Sequence, residues 1–463
     1  MIIYSPMGAA RTVTGSMHYL DIDGFRILLD SGEFQGTYSF EEEFNRKLLF
    51  QPDEIDAIIL SHAHIDHIGR LPYLVEHGFR GKIYATGATI DLADLILRDA
   101  AEIEFFKQRE NPEYNPLIKE KYIQKTLSLI KPIKYGQRTS IEDNISVRLL
   151  DAGHILGSAQ IELSIERKGQ VNKILFTGDL GRKGLPIIRD PERIREGTDI
   201  LITEGTYGDS IHSTIEDAVF ELYTYIEMIY RHQSKLLIPA FAVGRTQTLI
   251  YYLNEMIEKR RIPRIPVYID SPLSVNVTDL FRIHRECYDD ETWELLNSGD
   301  NPLDFRDLHY ITDEEESYEI TRKRGAAIII ASSGMCTGGR ILRHLSYALN
   351  DPASIVLFTS YQAKGTLGRK LIDGAKKVII SGKKIKVRAK IRQIKGFSAH
   401  ADQPELIEHI WRMKNKPKLT ALVHGEPKAL RELEKKVKRE KLTKKTIVPK
   451  FGEKTTLDKF FEK

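Results

Sequence analysis

Short apolar runs recur along this chain, and many of them close on a Gly, Asp, His or Ser. They include FRILLDSG (25–32), IDAIILSHAH (55–64), KILFTGD (173–179), DILITEG (199–205), KLLIPAF (235–241), AAIIIASSG (326–334) and TALVHGE (420–426). Runs of this length, rich in β-branched residues and bounded by small or polar ones, read as buried strands. Helical spacing fills the gaps between several of them, as in IEDAVFELYTYIEMIY (215–230) and TQTLIYYLNEMIEK (246–259). Strands interleaved with helices predict α/β layers, with polar strand ends as the place where chemistry collects.

The bulk properties fit that class. A chain of 463 residues, 41% hydrophobic and 29% charged, reads as globular and multidomain. No stretch approaches the ~18 uninterrupted apolar residues of a membrane span, and the N-terminus MIIYSPMGAARTVTG lacks the pattern of a secretory signal. Cys287 and Cys336 cannot build a disulfide framework and form no Cys-x-x-Cys pair. A reducing, cytoplasmic setting follows as the expectation, and any transition metal must be held by His and carboxylate. The excess of 69 Lys+Arg over 65 Asp+Glu is too small to imply nucleic acid. Basic residues cluster at 383–395 and 435–445, where a solvated face competes with a binding patch.

The most informative residues are His62-Ala63-His64-Ile65-Asp66-His67, between an apolar strand and a helix-like segment, IGRLPYLVEH. A strand-end loop turns alternate side chains into one space, so His62 and His64 could grip one ion. Asp66 and His67, at the helix start, could point to another. Imidazole and carboxylate suit zinc at ~2.0–2.2 Å. His154 in DAGHILGS, Asp179 in KILFTGD and His424 in TALVHGE each follow an apolar run.

These motifs resemble the metallo-β-lactamase superfamily. The resemblance implies two Zn2+ ions, with His62, His64 and His154 on one, Asp66, His67 and His424 on the other, and Asp179 bridging. Asp30, in ILLDSG, matches the superfamily's first motif and would orient the ligand loop from behind. Redox di-iron relatives carry Glu where this chain has His64, so hydrolysis is the chemistry implied. A zinc pair ~3.5–4 Å apart stabilises both attacking and leaving oxygens.

About 245 positions separate Asp179 from His424, which requires a sizeable insertion. Within it lie GTYGD (205–209) after Glu204, PAFAVGRTQ (239–247), ASSGMCTGGR (331–340) and GFSAHAD (396–402). Helix starts with Gly, Ser and Arg nearby suit anions, and Arg245 could offer a planar fork to phosphate. These segments are similar to the β-CASP family, the nucleic-acid branch of the superfamily, over essentially the whole chain. The resemblance implies a metallo-β-lactamase αββα sandwich, 1–208 and 386–463, with an inserted α/β β-CASP domain at 209–385. Glu204, His400 and His424 match motifs A, B and C, and a histidine at motif C favours RNA over DNA.

The function implied is a two-zinc ribonuclease that hydrolyses RNA phosphodiesters, internally or from the 5′ end. Asp66, Glu204 and His400 would be its catalytic groups, with Arg245, Ser332, Ser333 and Ser398 on the phosphate. Single-stranded RNA is the expected partner and a homodimer the expected assembly. The competing readings are a small-substrate zinc hydrolase, which needs no long insertion, and a non-catalytic processing-complex subunit, which would lose metal ligands that are all present here. The other histidines (His18, His77, His212, His232, His284, His309, His344 and His409) match no motif and are expected to be structural or on the surface.

Overall fold

The computed structural model describes residues 1–36, 41–363 and 365–461. Two seven-stranded sheets pack face to face, and a six-stranded sheet forms a separate layer system. The first sheet is built from β1 (Ile2–Pro6), β2 (His18–Ile22), β3 (Phe25–Leu29), β4 (Ala57–Ile59), β5 (Lys82–Ala85) and β6 (Ile130–Pro132). The second takes β7 (Arg138–Glu142), β8 (Ile145–Asp151), β9 (Ala159–Arg167), β10 (Gln170–Phe176) and β11 (Ile200–Glu204). The chain then enters the insertion, with β12 (Lys235–Pro239), β13 (Val267–Asp270), β14 (Leu308–Ile311), β15 (Ala327–Ala331) and β16 (Ile355–Phe358). A hairpin, β17 (Lys377–Ile380) and β18 (Lys383–Lys386), precedes β19 (Lys390–Gln393), which completes the inserted sheet beyond residue 385. The chain returns through β20 (Leu419–Val423) and β21 (Lys445–Ile447) to the second sheet, and β22 (Thr455–Thr456) pairs with β1.

Strand periodicity explains the layering. In β3, Ile27 and Leu29 face the core between the two sheets, whereas Leu28 faces the helical side. In β11, Ile200 and Ile202 face the inter-sheet core and Leu201 packs with Leu406, Leu430 and Leu433 of the outer helices. These strands are apolar on both faces because each sheet is covered on both, which gives four layers, αββα.

Parallel pairing then gathers the motif loops. β10, β11 and β20 run parallel in register, as do β3 and β4, so Asp30, His62, Asp179, Glu204 and His424 all sit at carboxyl ends of strands. The inserted sheet is parallel throughout, in the order β14-β13-β15-β12-β16-β19. Its carboxyl edge collects the loops after β12 (Arg245), β15 (Ser332, Ser333) and β16 (Thr359–Gln362), as open α/β sheets do for ligands. No helix among the described residues is long and apolar enough to cross a membrane.

Candidate metal centre

The segment after β4 turns sharply. Ile65–Ile68 forms one helical turn with His64 as its N-cap, and a second helix, Leu71–Glu76, begins after Arg70 with Pro72 in its first turn. The single helix suggested by IGRLPYLVEH is thus broken at Gly69–Arg70, and the turn before the break carries Asp66 and His67, with the His67 ring 3.9 Å from that of His62.

Two ligand clusters result. His62 Nε2 lies 3.0 Å from His64 Nδ1, and His154 Nε2 lies 3.3 Å from the same atom. Asp179 Oδ2 is 3.6 Å from both His62 Nε2 and His154 Nε2. In the second cluster His67 Nε2 is 3.3 Å from His424 Nε2, and Asp66 Oδ2 is 3.9 Å and 3.7 Å from these nitrogens. Asp179 Oδ1, which has no hydrogen-bond partner, stands 3.4 Å from His67 Nε2 and 3.6 Å from His424 Nε2. Atoms about 2.1 Å from one tetrahedral zinc lie roughly 3.4 Å apart, so the donor set fits a metal in each cluster. The two oxygens of Asp179 are divided between them.

Outer contacts fix the rings. Asp30, fully buried, accepts from Ser16 Oγ at 3.0 Å, Ser61 Oγ at 2.9 Å and Ser61 N at 2.8 Å, and holds His67 Nδ1 at 2.7 Å. His154 Nδ1 donates to Ala399 O at 3.2 Å, and His424 Nδ1 meets Thr206 Oγ1 at 3.2 Å. Each leaves Nε2 for the centre, the usual reason for such partners. Burial pushes His62 and His154 well below the ordinary range, and His64 to about 4, which keeps a lone pair available for a cation. At His67 and His424 burial is outweighed by Asp179 and neighbouring carboxylates, and both are raised.

Glu204 and His400 form a third group with Asp179. Both oxygens of the fully buried Glu204 lie 3.2 Å from His400 Nδ1, and Leu180 N donates to Oε1 at 2.6 Å. Burial opposes charge on His400, but Glu204, Asp179 and Asp66 prevail and lift it to about 9. Its Nε2 makes no hydrogen bond among the described residues.

The four residues expected at phosphate are placed unequally. Ser398 is buried beside His400, whose N–H donates to its Oγ at 3.3 Å. Arg245 begins the helix Arg245–Glu258; it is 5% exposed, and its Nε and Nη1 have no partner. Burial depresses its pKa to about 10. By contrast, Ser332 Oγ donates to Ser271 Oγ at 2.5 Å, and Ser333 Oγ accepts from Thr337 N at 2.9 Å. Both hydroxyls are committed inside the inserted domain.

Sequence reasoning passed over Tyr207 and His212. The Tyr207 ring lies tilted 6.1 Å from the His400 ring and edge-on 4.5 Å from that of His212, whose Nε2 bonds His400 O at 3.1 Å. Their signal was the continuation of GTYGD into SIH, which has no recognisable spacing of its own.

A profile for the metallo-β-lactamase superfamily domain matches residues 19–179, one for the Beta-Casp domain matches 246–371, and one for the Zn-dependent metallo-hydrolase RNA specificity domain matches 384–449. Fold and donor set thus define a metal-dependent hydrolase of the metallo-β-lactamase class. The chain is 36% identical to a ribonuclease of Thermus thermophilus over 431 residues, covering 93% of this chain and 94% of that one. It is 31% identical to an RNase J-like protein of Methanocaldococcus jannaschii, covering 92% and 93% respectively. A third relative, the transcription termination factor FttA of Methanothermobacter thermautotrophicus, is 33% identical over 91% of this chain but only 66% of its own length. The chain belongs to the β-CASP family of nucleases. A crystal structure of a protein of unknown function from Enterococcus faecalis shares the fold, with a TM-score of 0.56 at 14% identity over 98% of this chain and 99% of that one.

Proposed function

We propose that the chain is a two-zinc ribonuclease acting on single-stranded RNA. The observation that carries this reading is the division of Asp179, with Oδ2 facing His62 and His154, and Oδ1 facing His67 and His424. One carboxylate shared this way spaces two ligand sets for a pair of ions. Zinc bound there supplies Lewis acidity to a phosphate oxygen and makes a nearby water acidic at neutral pH.

The residues themselves do the rest. His62, His64 and His154 hold one ion; Asp66, His67 and His424 hold the other, with Asp30 fixing His67. Arg245, buried without a partner on two of its nitrogens, and Ser398 bind the phosphate flanking the cut. Glu204 keeps Nδ1 of His400 engaged, so Nε2 gives its proton to the departing oxygen. The hydroxyls of Ser332 and Ser333 support the wall of the cleft from the turn after β15. Buried, unpaired Cys287 and Cys336 support a reducing, cytoplasmic setting. A homodimer, which the family resemblance implies, belongs to the same reading.

Elemental analysis is expected to return two zinc ions per chain. Chelation is expected to abolish cleavage of end-labelled RNA, and a chromogenic small ester should stay intact throughout. One ion per chain sinks the paired reading, and preferential ester hydrolysis sinks the nuclease reading.

A further inference from the structure

A cavity of about 290 Å³ opens between the core and the insertion, on the β16–β19 flank of the Arg245 loop. Because β12 lies between β15 and β16 in the sheet, this flank is opposite the Ser332–Ser333 turn. Its size is close to the ~300 Å³ at the lower end of small-molecule pockets. Tyr207 is a wall shared with His400, and Tyr361 meets Tyr207 edge to face at 6.4 Å. Ser398 lines it too, so the cavity begins one side chain from the metal centre.

The loop after β16 gives it an unusual floor. Thr359 Oγ1, Ser360 Oγ and Gln362 Oε1 are buried polar atoms with no hydrogen-bond partner, and all three residues line the cavity. Buried polar groups without partners are rare and costly, so the two adjacent hydroxyls of Thr359 and Ser360 call for a ligand. Gln362 is held inward, with Nε2 tied to Gly334 O at 2.9 Å and Tyr361 O at 3.0 Å and Oε1 packed against Gly368. The two hydroxyls reach the cavity by a change of χ1 rotamer. At the mouth, exposed Lys395 forms no ion pair among the described residues.

We propose that this cavity is a base-reading subsite: it takes one nucleobase of the RNA strand beside the scissile phosphate, and Thr359 and Ser360 read its polar edge. An unstacked base resting on aromatic walls, with its edge hydrogen-bonded, is how single-stranded RNA is read for sequence. The mouth lysine suits the adjoining backbone phosphate. The inference rests on RNA being the substrate, and it gives the enzyme a sequence preference at one position beside the cut.

The test uses single-stranded oligoribonucleotides in which each position flanking the cut carries A, C, G or U in turn. They are digested by the zinc-loaded full chain and by its Thr359→Val and Ser360→Ala variants. The wild type is expected to spread in kcat/KM by about three- to tenfold at one flanking position, the size of one hydrogen bond. Each variant should narrow that spread, leave the other positions alone, and melt no lower than the wild type. A variant that melts lower overturns the premise that its hydroxyl is unpartnered. RNA cut normally with no flanking preference, or with the same preference in both variants, overturns the subsite alone. A wild type that cuts no RNA overturns the nuclease reading and the subsite with it.

Discussion

Asp179 and His400 divide the labour at the centre of this molecule. Asp179 is 3% exposed, far too buried to ionise without compensation, and the imidazoles around it hold its pKa well below the carboxylate range. His400 faces the same cluster from outside, 3.9 Å from Asp179 through Nδ1, but Glu204 holds that nitrogen closer. In the proposed reaction it acts on substrate and is not needed to hold metal. His400→Ala is expected to keep its full zinc content and to lose more than about tenfold in RNA cleavage, since a lost proton donor typically costs roughly 10²–10⁴-fold. Full activity in the metal-replete variant removes His400 from the reaction. The identity of these residues was legible from Gly, Asp and His at strand ends. The support that His212 gives to the His400 loop was not, because a lone histidine carries no spacing signal.

Between residues and the whole fold, the loops after β3 and β4 behave as one unit. Ser31 N donates to His67 O at 2.8 Å, Glu33 N to Ile65 O at 3.1 Å, and Ser16 N to Asp66 O at 2.8 Å. Fully buried Arg70 donates to Gly32 O at 2.5 Å and sits over the Phe34 ring at 5.2 Å. Gly32 is the closest approach, since a Cβ there would lie 1.6 Å from Asp66 O. Gly32→Ala is expected to push the ligand turn outward, destabilise the protein by about 1–3 kcal/mol as overpacking does, and lower zinc content. Unchanged metal stoichiometry and melting temperature would show that the two loops are not coupled. Strands and long helices could be read from periodicity, as Ile215–His232 and Arg245–Glu258 show. The Ile65–Ile68 turn could not, because four residues are too few for a periodic pattern and its break at Arg70 depends on carbonyls supplied by distant loops.

At the scale of the whole molecule, insertion and core are latched away from the metals. His284, at the end of the helix Pro272–Ile283, places Nε2 2.7 Å from Asp91 of the core and Nδ1 2.8 Å from Glu286. Burial disfavours its charge, but the two carboxylates win and raise its pKa above 6.5. A raised folded-state value stabilises fully below the unfolded value, and the gain is lost as pH rises through the folded one. The melting temperature of His284→Gln should therefore fall below that of the wild type near pH 6 and converge with it at alkaline pH. A gap that is constant with pH would mean the contact is not ionic. The two basic runs also separate only here. Lys435, Lys436 and Lys438 pair along their own helix with Glu432, Glu440 and Glu434 at 2.7–2.8 Å, a solvated face worth little in stability. The basic residues of 383–395 form no ion pair among the described residues and lead along β19 to the cavity at Lys395.

The sequence by itself determined the strands, most of the helices and the chemical character of the metal ligands. Those depend on local periodicity and on a small vocabulary of donor types at strand ends. Tertiary structure alone decided that Asp179 would split its oxygens, that Ser332 and Ser333 would spend their hydroxyls within the insertion, and that Arg245 and the loop after β16 would be left with unpaired polar atoms. Apart from the Ser333 hydroxyl, which is taken by Thr337 N four residues on, each of those outcomes is a contact made or withheld between segments tens to hundreds of residues apart, and no local pattern encodes a partner at that distance.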